Sequence, residues 1–165
     1  MGELLGTIYG RLLMLLGLVA IGGLAIYAFS GGKVASQASE ISLLQGNARQ
    51  QLGATQSGFA NFATAQSADL ITAGIIPSGM VRNGALVDKW GGAITLASAN
   101  NGAQGVIQLA GFTNNVKDCA KLATTLADYD TLAIGATQYT PDARPDAIAA
   151  GKACAASDTV TITFS

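Results

Sequence analysis

Residues 12–32, LLMLLGLVAIGGLAIYAFSGG, run without a single charged side chain. A helix needs about 20 apolar residues to cross the hydrocarbon core of a bilayer, and this run supplies them. From Val34 the pattern changes but does not stop. Val34, Ala38, Ile41, Leu44, Ala48 and Leu52 recur at spacings of three and four, the period of an amphipathic helix. Glu40, Gln45, Arg49, Gln50 and Gln56 fall between them and read as a polar surface. No proline occurs before Pro77. The pattern predicts one long helix in two parts, an apolar segment over 1–33 and an amphipathic continuation over 34–73. A weaker stretch at Gly53 to Gly58 is where it would end or break, with Ser67-Ala68-Asp69 capping a further turn.

Residues 74–165 read as a separate globular head. Pro77, Gly79 and Asn83-Gly84 mark successive turns. Ala93 to Ser98 and Gly105 to Ala110 are strand-like, and Asn100-Asn101-Gly102 between them signals a hairpin. Thr113 to Ala127 reads as a helix capped by Thr113 or Asn114, with Val116, Cys119, Leu122 and Leu126 as its buried stripe. Thr159 to Phe164 alternates as a closing strand. The stretch 129–153 holds Pro141, Pro145 and few large apolar residues, so it reads as a surface loop region. The fold class is therefore α+β, a long helix with a small antiparallel-sheet head.

The apolar run admits three uses. A cleaved signal peptide would show a basic start and a shorter apolar stretch, whereas this chain begins Met-Gly-Glu. A plain membrane anchor fits the length, with Arg11 placed to snorkel to the interface. A self-packing helix fits Gly17, Gly22 and Gly23, which let backbones approach closely and mark where the helix loses regularity. Glu3 and Arg11 lie eight positions apart, on one face but too distant to pair within one helix. Either a neighbouring chain supplies their partners, including the Met1 amine, or both sit in headgroups and water.

Composition narrows the chemistry. Charged residues are 12% of the chain, the net charge is −1, and there is no basic patch for nucleic acid. Histidine is absent, which removes a Ser-His-Asp triad and most metal sites. No phosphate loop or dinucleotide fingerprint occurs, so no catalytic residue, cofactor or metal is assigned and the chain is not read as an enzyme. Asp128, Asp130, Asp142 and Asp146 read as solvated loop acids rather than a calcium site. Cys119 and Cys154 do not have zinc or redox spacing; they make one disulfide or remain two buried thiols. As a bridge they would staple the loop region for about 3–4 kcal/mol in the chain-entropy model. Trp90, the only tryptophan, reads as a core anchor leading into the first strand.

With these residues in place, the layout resembles the type IV pilins, and within them the type IVb class. The segment Asp88-Lys89-Trp90-Gly91-Gly92-Ala93-Ile94-Thr95 is similar to the W-G-G-then-strand element of the major pilins of conjugative thin pili. Cys119 on a helix and Cys154 before the last strand match that layout. The family carries a glutamate at the fifth mature position to neutralise a neighbour's amine; this chain has Leu5 there and Glu3 nearby, and Gly22-Gly23 where many pilins have a proline. The resemblance implies a structural major subunit, a homo-oligomer in a helical filament. It would wait in the inner membrane, be drawn out by pilus assembly machinery, and serve conjugative mating-pair contact or adhesion. The other readings are a minor tip pilin acting as an adhesin and a membrane-anchored exported enzyme.

Overall fold

A computed structural model describes residues 32–165. Met1, Glu3, Arg11, Gly17, Gly22 and Gly23 lie outside the described residues, as does the apolar run except Gly32. Among the described residues no helix is long and apolar enough to cross a membrane.

Helix α1 covers 32–48 and passes into a π-helical turn, Arg49–Gly53. It therefore ends at Gly53, short of the continuation to 73 that the spacing predicts. Beyond it the chain makes tight turns at Gly58–Asn61 and Thr64–Gln66, then a short helix α2, Ser67–Thr72. No side chain caps α2, although Asp69 sits in its first turn. The physical reason for the break lies in Phe59 and Phe62. Both are buried, and they meet Phe164 edge-on with ring centroids 5.3 and 5.6 Å away. A straight helix would carry them past that site; edge-to-face packing of three aromatic rings outweighs one more turn of backbone.

A small hairpin follows, β1 (Val81–Arg82) and β2 (Ala85–Leu86). Asn83 and Gly84 between them both have positive φ, 51° and 79°, as a two-residue hairpin turn requires. The main sheet has five strands: β3 (Ile94–Ala99), β4 (Gln104–Leu109), β5 (Thr131–Ile134), β6 (Thr137–Tyr139) and β7 (Val160–Phe164). Their order is β3-β4-β7-β5-β6, with every pair antiparallel. The last strand of the chain thus lies at the centre. Alternation sets its faces: Val160, Ile162 and Phe164 are buried, while Thr161 and Thr163 are not. Gly105 stands opposite Phe164 in the ladder, and a Cβ there would lie 2.6 Å from the ring, so the bare glycine makes room for it. The edge strand β3 is covered by Thr64, whose Oγ1 accepts from Leu96 N at 2.7 Å and donates to Leu96 O at 3.1 Å. One hydroxyl there stands in for a missing neighbour strand.

Helix α3 spans Val116–Thr125, within the expected 113–127. Its N-cap is Asn115 and makes no side-chain bond; Thr113 instead donates to Asp158, at 3.2 Å. Cys119 and Leu122 are fully buried, Leu126 lies just past the helix end, and Val116 is only half-buried. The expected loop region at 129–153 is corrected: it contains β5, β6 and most of helix α4, Ala147–Ala156. Asp146 starts α4, its Oδ1 accepting from Ile148 N and Ala149 N at 2.9 and 2.7 Å. The two prolines fall in the connection between β6 and α4. Leu132 and Ile134 bury one face of β5 against the core.

Candidate functional site

The joint between α1 and the head is built from an unexpected set of side chains. Val34, Ala38, Ile41, Leu44 and Ala48 belong to the same buried cluster as the inner face of the sheet. Gln37 and Gln45 are also buried, at 0% and 1% exposure, and Glu40 and Arg49 are only partly exposed. This corrects the reading of Glu40, Gln45 and Arg49 as surface. The inward arc of α1 is wider than its apolar stripe, and its flanks carry polar groups aimed at the head.

Each flank residue satisfies a specific group. Near the start of α1, Gln37 Oε1 accepts from Lys89 N at 2.9 Å, and Glu40 Oε1 meets Lys89 Nζ at 2.6 Å. The same ammonium donates to Gly79 O at 3.2 Å. Near its end, Gln45 Nε2 donates to Asp128 O at 2.7 Å, and Asn47 Nδ2 reaches Gly74 O and Ile75 O, each at 3.2 Å. Arg49 pairs with Asp128, donates to Ser165 O at 2.6 Å, and lies over the Phe164 ring, 5.4 Å from its centroid. Hydrogen bonds to buried backbone groups are directional, so these contacts select one register for the helix where apolar packing alone would accept several.

The D-K-W-G-G segment is the other half of this joint. Asp88 is fully buried, and its Oδ1 accepts from Trp90 N at 2.9 Å and Gly92 N at 2.7 Å, closing a turn on its own backbone. Asp88 N donates to Gly92 O at 2.9 Å. Gly91 takes the positive φ of this turn, 92°, and a Cβ on Gly92 would strike the Ala110 carbonyl. The turn therefore demands an acid followed four residues later by glycine. It sends Lys89 toward α1 and Trp90 toward α3. Trp90 is half-buried, tilted against Phe112 with centroids 5.0 Å apart, and its Nε1 donates to Asp118 Oδ2 at 2.8 Å.

Burial pushes the Asp88 carboxyl above the usual carboxylate range; hydrogen bonds from Gly92, Trp90 and Gly91 and the charge of Arg82 oppose this. Its Oδ2 finds no partner, and neither do Gln37 Nε2 and Glu40 Oε2 nearby in the joint. Burial likewise raises the Tyr129 hydroxyl, with Arg144 opposing.

Helices α3 and α4 are joined by the Cys119–Cys154 disulfide, with S–S 2.04 Å and Cα atoms 6.0 Å apart. Both cysteines are buried. Among the described residues no cluster of three or more acids, cysteines or histidines could hold a metal. The geometry is that of a holding device: it fixes a helix on a head and fixes the head on itself.

Sequence reasoning identified Trp90, the glycines and the cysteines but missed Gln37, Lys89 and the inward turn of Glu40. The available signal was position. Gln37 lies three residues beyond Val34 and four before Ile41, on the buried face.

No curated protein matches the chain. A family model, PilS N terminal, matches residues 33–165, the amphipathic part of the helix and the entire head. The matched region contains the joint, the D-K-W-G-G turn and the disulfide. The chain belongs to this type IV pilin family and is a type IV pilus subunit.

Proposed function

We propose that this chain is the major subunit of an extracellular type IVb-like filament used for conjugative mating-pair contact, with general adhesion as the neighbouring use. The family match carries the reading. Two features of the chain support the finer points. The apolar run at 12–32 has the length of a membrane span, so subunits are held in the inner membrane before assembly. The outward arc of α1 bears Ala35, Ser36, Ser39, Ser42, Leu43 and Gly46, all exposed and none charged. Such a surface suits close approach of another helix.

In this reading the helix exchanges one apolar solvent, lipid, for another, its own copies. ATP-driven machinery supplies the extraction. Glu3 and Arg11 find their partners on neighbouring chains, including the Met1 amine, and Gly17, Gly22 and Gly23 are where the helix loses regularity in the filament. The minor tip adhesin rested on a bulky exposed loop at 129–153; that stretch holds β5, β6 and most of α4, so the major-subunit reading is preferred.

The test is electron microscopy of sheared surface filaments with mass spectrometry of the N-terminal peptide. Abundant filaments made of this chain are the expected result. A chain that is exported yet monomeric, with no filament on cells that express it, overturns the proposal.

A further inference from the structure

Helix α4, AIAAGKACAA, is apolar on nearly every side, a pattern that belongs to helices covered all round. Yet only Ala150, Ala153 and Cys154 are buried. Ala147, Ala155 and Ala156 are exposed, and Ile148 is 71% exposed, far more than any large apolar residue on the surface requires. Between α4 and α3 runs a groove of about 380 Å³, floored by Val116, Ala120, Ala147 and Gly151 and rimmed by Lys117 and Lys121.

Charge says what covers it. The two ion pairs among the described residues are Arg49–Asp128 and Lys89–Glu40, so Lys117 and Lys121 have no acid partner within the head. Asp69 and Asp142 are exposed carboxylates with neither an ion pair nor a side-chain hydrogen bond among the described residues. One copy thus presents unpaired base around an apolar groove and unpaired acid elsewhere, which is complementarity to itself. We propose that the α3/α4 face closes against a second copy of this chain, as a head-to-head contact in the filament. Ile148 and the groove supply the dry centre, and Lys117 and Lys121 meet the neighbour's Asp69 or Asp142. The inference rests on the pilus-subunit reading and names a contact within it.

Amine acetylation read by mass spectrometry tests it, comparing sheared filaments with detergent-solubilised subunits of the full chain. Lys117 and Lys121 should label about tenfold less in filaments. Equal labelling in abundant filaments overturns the contact while leaving the pilus reading intact; absence of wild-type filaments overturns both. As a second measurement, a Lys117→Glu/Lys121→Glu chain that still exports and forms its disulfide should give about tenfold fewer filaments. Wild-type yield from that variant counts against the contact.

Discussion

The molecule is held together in two different ways at two places. The α1 joint is non-covalent and polar at its flanks: Gln37, Glu40, Gln45 and Arg49 each meet a named group of the head. The α3/α4 unit is covalent and plain: a disulfide between two helices rich in alanine and other small residues. The difference follows from what each must specify. A long helix with a repeating apolar stripe can slide by a turn at little cost, so register needs directional bonds. Two short helices far apart in sequence have little apolar area with which to find each other, so a cross-link between their buried faces supplies what packing cannot.

The comparison predicts a ranking of damage. Replacing both cysteines by serine opens a loop of 35 residues and should cost about 3–4 kcal/mol, read as a fall in the unfolding midpoint without loss of the helix signal of α1. A change under about 1 kcal/mol would mean that α3 and α4 hold by packing alone. Lys89→Met should come next. It leaves Glu40 partly buried without its ammonium and Gly79 O without a donor, a loss of about 2 kcal/mol, between the values for exposed and fully buried pairs. Adding Glu40→Gln to that variant should recover part of the loss, because the unpaired charge is gone; no recovery would show that Lys89 acts through its stem alone.

The smallest effect is one of pH. The raised Asp88 value means that the neutral carboxyl suits the fold better than the charged one. Its contribution is full below the ordinary carboxylate range and is lost as pH rises through the raised folded value. Asp88→Asn keeps an oxygen for Trp90 N and Gly92 N and carries no charge. Thermal melts across that window should therefore fall for the wild type and stay flatter for the variant; parallel curves would remove Asp88 from the pH dependence.

Legibility in the sequence followed range. The α1 stripe, the hairpin at Asn100–Gly102, the helix around Cys119 and the last strand all appear near their expected places, because each is written in local period or turn chemistry. The region 129–153 was not legible. β5 is four residues long and becomes a strand by pairing with β7, and α4 lacks an amphipathic period to announce it. Tertiary context also overrode period after Gly53, where burial of Phe59 and Phe62 against Phe164 ended the helix.

By itself, then, the sequence determined a charge-free run, an amphipathic helix after it, an α+β head, and the absence of histidine chemistry. These are properties of composition and short-range spacing. Only the tertiary structure decided that the chain's last strand lies mid-sheet, that Gln37 and Gln45 face inward, and that Asp88 folds Lys89 onto α1 and Trp90 onto α3. Those outcomes depend on which distant groups need a hydrogen-bond partner once water is excluded, and residue spacing along the chain does not encode that need.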